Sequence, residues 1–503
     1  MERTRKTTDW KTVYPVCLLL AAVFLFLLTK SSPLYPLNEW VDANIYFTIG
    51  KGMMHGSVPY VDLYDQKGPV AFLLFGLASL VSNSSFFGVY LVETIAFSFF
   101  LFACYRIVSL YTERYALAVL PVTAAFILGS LSFSHGGSLE ELMAMPLFAW
   151  SLYDTLRYFK NQHPAPVPLA MIARNALFAG VMLFGKFTLL AFYVAWMGVI
   201  AISQLAGRHY KRAIMASLLF LGVMFGAGLP WLAYFGLNGG LKDFLHYYFY
   251  QNMFGYSWMD ESSPLSVVYI IIKSVGAFFY RNPQIALPIM FGFVWYVILL
   301  WRKTKTVEKI NVILLFGLLA CAIYMGGQGY RYYGLVLTPF MALGFAPLTQ
   351  YLAAHDRGLW DKTRLRRVLF GALTVLMLGF GLLISDNRYM LSIPREETPQ
   401  ARFAAIMNER KTTDEITLFC YGSPDAGFYL AADVIPPYRF FARVNVDLPE
   451  LQQAQESYIK ERSAQFVVTR NRDADIVGYT LIETQMFWSE EQTDTFRLYE
   501  RTN

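Results

Sequence analysis

Charge is scarce in this sequence. Only 16% of its 503 residues are Asp, Glu, Lys or Arg, whereas soluble domains carry about 25%. That shortage excludes an ordinary water-soluble globule, and the 56% hydrophobic content points to a membrane. Cysteine is rare too, with four in all. Cys17, Cys104 and Cys321 fall inside apolar runs and read as small buried hydrophobes, while Cys420 stands alone in a polar tail. Neither a disulfide framework nor a zinc-type spacing can be assembled from them. The chain also lacks a glycine-rich phosphate loop, an internal repeat and any low-complexity segment. Without a repeat, a transporter built from related halves is disfavoured. Arg3, Arg5, Lys6 and Lys11 precede an apolar run that starts at Tyr14 and ends at Thr29. No small-x-small cleavage site follows closely, so this run reads as an uncleaved first span and not a signal peptide.

What the sequence does have is a series of apolar segments of roughly 16–25 residues, the length that crosses a bilayer core. Spans are expected at 14–30, 86–108, 115–133, 142–157, 171–186, 188–206, 213–236, 283–301, 311–326, 333–351 and 367–385, about eleven in all. Two further apolar stretches, 69–82 and 265–280, are short for spans and read as juxtamembrane helices on the outer surface. Charge then sets the topology. With both stretches kept on the outer surface, 21 basic residues fall on the side of the N-terminus and eight on the other. This positive-inside pattern places the N-terminus in the cytoplasm. The expected layout is a polytopic α-helical membrane module over 1–386 and a small α/β extracytoplasmic domain over 387–503. In that tail 398–410 and 448–462 read as helices, and 415–420, 465–469, 479–482 and 495–499 as strands. The tail carries a net charge of −5 and the membrane part +11. The basic excess therefore belongs to loops, not to a nucleic-acid face.

The polar residues worth a chemical reading gather in the outer loops. The stretch 39–69 is the longest, and its aromatics and aliphatics argue against disorder. Asp42 follows the first span by about a dozen residues, placed to take a proton from a hydroxyl as general base, or simply to cap a helix. Lys67 is a point charge suited to a phosphate. Asp62 and Asp65 either hold Lys67 and Tyr60 in place or bind a divalent cation through their oxygens. Glu140 and Glu141 open the fourth span, where they suit the helix dipole or face Asp42 as further substrate-binding carboxylates. His135 and Glu141 are the candidate metal ligands, although the pattern forms no strong metal motif. In Tyr330-Arg331-Tyr332-Tyr333 the Arg can fork onto a phosphate, and Tyr330 and Tyr332 can stack on a sugar. An aromatic belt with one snorkelling Arg is the plainer reading. Tyr247, Tyr248, Tyr250, Gln251, Asn252 and Tyr256 add another polar-aromatic outer loop.

The strings Asp42-x-x-x-Tyr46, Gly50-Lys51-Gly52-Met53-Met54-His55-Gly56 and Pro59-Tyr60-x-Asp62-x-Tyr64-Asp65-x-Lys67-Gly68-Pro69, with a second acidic loop at Glu140-Glu141, resemble the GT-C glycosyltransferases. The likeness is to the branch of protein O-mannosyltransferases and lipid A aminoarabinose transferases, including bacterial cell-wall or teichoic-acid glycosyltransferases. The resemblance implies an inverting enzyme of the bacterial cytoplasmic membrane that takes a sugar from a polyprenyl-phosphate carrier. The acceptor would be a glycan, lipid or protein on the outer face. It gives Asp42 the role of the first-loop acid that acts as base or orients the acceptor, Lys67 and Arg331 the carrier phosphate, and Glu140 or Glu141 the second-loop acid. The sequence departs from the family where Asp42 is followed by Ala43, and where Gly68-Pro69 replaces a Pro-Pro pair. An O-antigen-type polymerase or ligase is the competing enzyme reading. A lipid or sugar transporter is the competing reading from another class.

Overall fold

Hydrocarbon offers no partner to a backbone amide, so apolar segments of this length fold as helices that satisfy their own hydrogen bonds. A computed structural model of the protein describes residues 10–255, 264–300, 304–356, 358–446, 448–472, 475–489 and 492–502. Arg3, Arg5, Lys6, Tyr256, Arg302, Lys303 and Arg357 lie outside the described residues. Each expected span coincides with helix, from Tyr14–Leu28 through Phe87–Ser109 and Leu139–Asn161 to Thr363–Ile384. Among the described residues seven helices are long and apolar enough to cross a membrane, and Leu265–Arg281 with Pro283–Leu299, bent by 116°, form a broken span or a re-entrant pair. Ala116–Leu128 and Leu169–Gly185 are apolar but shorter. The chain is a multi-pass membrane protein. Cys321, expected to be buried, is exposed on its helix.

The loops that the charge count assigns to one side do meet at one end of the bundle. There, Asn387 Nδ2 donates to the Leu28 carbonyl at 2.7 Å, and Asn282 Nδ2 donates to Ser132 Oγ at 2.9 Å. At the opposite end Arg114 bonds Asp356 and Asp361 at 2.5 and 2.8 Å, and Lys305 Nζ donates to the Phe159 and His163 carbonyls.

The stretch 39–69 differs from its reading as a loop. Residues Val41–Met54 form a helix whose side chains from Ala43 to Gly52 are buried on every face. Its polar residues hide the helical pattern in sequence. It lies against a second short helix, Pro69–Ser79, with Gly50 and Gly76 at the crossing. A Cβ on Gly50 would stand 2.4 Å from the Gly76 nitrogen.

The C-terminal region is an α/β unit. Four strands, β1 (Leu418–Cys420), β2 (Phe466–Arg470), β3 (Tyr479–Ser489) and β4 (Gln492–Arg501), run in the order β1-β2-β4-β3. β1 and β2 are parallel, and the other neighbours are antiparallel. The helices Pro399–Arg410 and Pro449–Lys460 flank them, near the expected positions. β3 and β4 are longer than the sequence suggests, because the polar alternation from Glu483 to Trp488 belongs to a half-exposed hairpin. This unit sits on the Val41–Met54 helix and the turn after it. The Tyr64 N–H donates to the Arg439 carbonyl at 2.9 Å, Lys51 pairs with Asp433, and Arg439 reaches Asp243 at 2.9 Å.

Gly68 sets how closely the Pro69–Ser79 helix approaches the end of Leu169–Gly185. A Cβ there would stand 2.3 Å from the Phe184 oxygen and 2.4 Å from that of Gly185. Gly68→Ala is therefore expected to cost about 1–3 kcal/mol, read as a lower thermal midpoint in detergent. Gly236→Ala, at a helical glycine with nothing within 4 Å, is the matched control and is expected to be neutral or slightly stabilising.

Candidate active site

Four carboxylates and two ammoniums converge at the end of the bundle where those loops meet. Asp42 lies in the first turn of the Val41–Met54 helix and is half-buried. Glu140 and Glu141 lie in the first turn of Leu139–Asn161 and are buried, as is Asp65. Lys67 approaches Glu140 at 3.9 Å, and Lys186 bonds Glu141 at 2.7 Å. Tyr332 OH donates to Asp42 Oδ2 at 3.1 Å. Lys186 also lies 4.0 Å from the Tyr333 ring centre, and Lys67 5.7 Å from that of Tyr46.

Local chain geometry explains how each side chain arrives. Asp65 Oδ1 accepts the Lys67 N–H at 2.9 Å, a carboxylate closing its own turn. Tyr60 adopts a left-handed φ of 71° and donates its hydroxyl to the Lys67 carbonyl at 2.6 Å. It has no exposed surface, so its part is to position Lys67 and not to touch a substrate. Asp62 is exposed and accepts the Val58 N–H at 2.7 Å, a turn contact outside the cluster. Tyr330 stacks on Tyr332 with ring centres 5.8 Å apart, and Arg331 is half-buried between them in sequence. His135 stacks on Trp40 at 5.0 Å, and Glu141 is engaged by Lys186. The structure thus gives the two candidate metal ligands other partners. Among the described residues no three His, Cys, Asp or Glu side chains group as a metal-ligand set.

Two residues were missed in sequence. Lys186, at the C-terminal end of the Leu169–Gly185 helix, closes the cluster through Glu141. Its signal was the turn itself, which fixes a cation at the end of one helix beside the start of the next. Glu93, fully buried in the Phe87–Ser109 helix, accepts the Gly137 N–H at 2.5 Å and the Thr29 hydroxyl at 3.0 Å. It ties the loop after the first span to the loop that carries His135. A carboxylate within an apolar helix is itself the signal.

Electrostatics sharpen the picture. Burial works against the Lys67 ammonium, but Glu140, Asp42, Tyr333 and Asp65 outweigh it and hold its pKa well above the ordinary lysine value. Burial pushes the Asp65 carboxyl up to about 7. Lys67 opposes this, while Asp42 and Glu140 add to it. Below the cluster runs an apolar groove of about 510 Å³, lined by Leu74, Val92, Met143, Leu147 and Phe178 and reaching Trp10 and Arg174. Its walls include the helices that begin or end at Lys67, Glu140 and Lys186.

The fold is of the GT-C type. Over 98% of both chains it superposes on the crystal structure of ArnT from Cupriavidus metallidurans bound to undecaprenyl phosphate, with a TM-score of 0.59 and 12% identity. The same protein in the apo state gives 0.50 and 14% identity, again over 98% of both chains. Residues 3–256 match the family model described as "Putative competence-induced protein Ccs4 N-terminal domain", and the chain belongs to that family. No curated protein matches the sequence.

The Asp65 value fixes a sign. Its folded pKa of about 7 lies above the ordinary 3.8, so its contribution to stability is fully present below pH 4 and lost as pH rises through 7. Asp65→Asn keeps an acceptor for the Lys67 N–H without the charge. The decline in thermal midpoint between pH 4 and pH 7 is expected to be shallower in this variant than in wild type.

Proposed function

We propose that this chain is an inverting glycosyltransferase that moves a sugar from a polyprenyl-phosphate carrier to a cell-envelope glycan, lipid or protein acceptor. What carries the reading is that Lys67, within electrostatic reach of Asp42, and Lys186 gather with Glu140 and Glu141 at the ends of helices that also wall the apolar groove. A phosphate with a long apolar tail needs both features, adjacent and at the membrane surface. In this proposal the tail lies along Leu74, Val92 and Phe178, and the phosphate meets Lys67. The Lys67 contact to Glu140 is a long 3.9 Å, leaving the ammonium able to turn toward a stronger anion. Arg331 is a second phosphate contact from the neighbouring segment.

Asp42 is half-buried, open on one side to an incoming hydroxyl. Tyr332 donates to its Oδ2, which orients the carboxylate and leaves Oδ1 to take the proton. The acceptor oxygen attacks the anomeric carbon, and the bond from that carbon to the phosphate oxygen breaks. The phosphate keeps the electron pair, and Lys67 and Lys186 stabilise its charge. Attack from the face opposite the phosphate inverts the configuration. The charge asymmetry of the loops orients the site outward, with the N-terminus in the cytoplasm of a bacterial cell and the domain over 387–503 outside.

The test is lipid-linked glycan profiling of a deletion strain complemented with wild type or Asp42→Asn. Asp42→Asn is expected to lower transfer at least about 100-fold with unchanged expression and thermal midpoint, and full activity contradicts the proposal. Lys67→Ala is expected to raise the donor KM about tenfold or more while the acceptor KM stays put, as loss of one charged contact worth about 1.5–3 kcal/mol requires.

A further inference from the structure

The β3–β4 hairpin carries an uncovered apolar surface at the point where the chain leaves the membrane module. Within the helix Thr363–Ile384 only Gly381 is buried, so lipid surrounds this span on nearly every side. Its exit is fixed in height by the first span. Asn387 Nδ2 donates to the Leu28 carbonyl, and Tyr389 OH donates at 2.7 Å to Glu39, which also holds Lys30. Tyr389 therefore stands at the level of two span ends. The Trp488 ring packs on it edge to face, with centres 4.7 Å apart. Trp488 is still half-exposed, and Met486, two residues back on the same face of β3, is 72% exposed, while Phe487 between them is buried. Their neighbours across the ladder, Thr493 and Thr495, are too small to cover them. Leu383 and Leu391, on either side of the exit, are exposed as well. Arg388 adds a cation to these groups. It is exposed, its Nη1 donates to the Leu383 carbonyl at 2.9 Å, and it has no acidic partner among the described residues. From this level β3 and β4 follow the Pro399–Arg410 helix outward. Gln485 Nε2 donates to the Glu397 carbonyl just before that helix begins, whereas Glu500, opposite Thr480, meets Arg410 at its far end.

We propose that this end of the hairpin is a lipid-surface anchor. Trp488 and Met486 enter the headgroup and upper acyl layer of the leaflet on the side of the Asp42 cluster, and Arg388 meets lipid phosphates. Tryptophan suits that depth, because its body is apolar and its N–H is polar. An arginine at a span end suits it too, with its stem among apolar groups and its head at the phosphates. An exposed apolar patch beside a lipid-facing span has lipid as its nearest apolar partner. Anchored in this way, the C-terminal unit is held at two places. The hairpin rests on the bilayer, and Asp433 and Gly427 rest on the Val41–Met54 helix. The anchor does not depend on the transfer chemistry.

The experiment is electron paramagnetic resonance of a nitroxide placed on Met486→Cys or, for reference, on Val477→Cys. The full chain carries Cys321→Ser and is reconstituted in vesicles of phosphatidylethanolamine and phosphatidylglycerol. Cys321 is the exposed native thiol, and Cys17, Cys104 and Cys420 are buried. Val477 is exposed and precedes β3 at its other end, about 25 Å from Met486 at the usual rise of a strand. At Met486, collision with oxygen, which concentrates in lipid, is expected to exceed collision with a water-soluble nickel chelate. At Val477 the order is expected to reverse. Leu391→Cys reads the same patch if the labelled Met486→Cys chain loses its cooperative melt. A Met486 label that meets the nickel chelate as freely as the Val477 label does lies in water and overturns the proposal. Low collision with both agents means that protein, such as a second copy of the chain, covers the patch, and overturns it as well.

Discussion

Two lysines gather the charged helix ends on which the site depends. Lys67 and Lys186 face four carboxylates in a largely buried setting, where an unpaired charge costs several kcal/mol. The balance is uneven, and the Asp65 carboxyl titrating near 7 relieves part of it. The dipoles matter as well. Glu140 and Glu141 sit at a helix start and Lys186 at a helix end, the favourable arrangement in each case. Lys67 is the exception. It stands just before the Pro69–Ser79 helix, where a cation is disfavoured, and only the surrounding carboxylates make that position tolerable. A residue kept against its local helix preference is the one to suspect of a task beyond stability.

The C-terminal unit belongs to the same design. It touches the Val41–Met54 helix at two places. Lys51 pairs with Asp433, and Gly427 lies so close to Asn44 that a Cβ would stand 3.1 Å from Asn44 Oδ1. The helix carrying Asp42 is therefore clamped between the bundle and this unit, with Trp40 and Tyr332 fixing its first turn. Under the proposed mechanism, such rigid placement of Asp42 is what lets proximity contribute to rate. The likeness to ArnT spans the tail as well as the membrane module.

Much of this was legible in the sequence. The apolar runs give the helices because length and hydropathy are local properties. The strands of the tail are legible where both faces are buried, as in Phe466–Arg470, and less so in the half-exposed hairpin. Asp42, Lys67, Glu140, Glu141 and Tyr332 could be placed on one side by counting basic residues, which is a global sum and needs no contacts. What could not be seen is pairing across the chain. Glu141 meets Lys186, 45 residues away, and Tyr332 meets Asp42, 290 away. The Val41–Met54 helix was hidden because a helix buried on all faces, with Asn44 and Lys51 inside it, shows no amphipathic period. Asp62 and Tyr60 had the right composition for a binding site. Their geometry makes one a turn closer and the other a fully buried support.

The most direct measurement is binding of a polyprenyl phosphate to the purified full chain, followed by native mass spectrometry, in wild type and in Lys67→Ala/Lys186→Ala. The predicted result is a one-to-one complex with wild type and at least tenfold weaker binding in the double variant, with the fold intact by its thermal melt. Equal binding by the two proteins, or none by wild type, would contradict a phosphate site at these lysines.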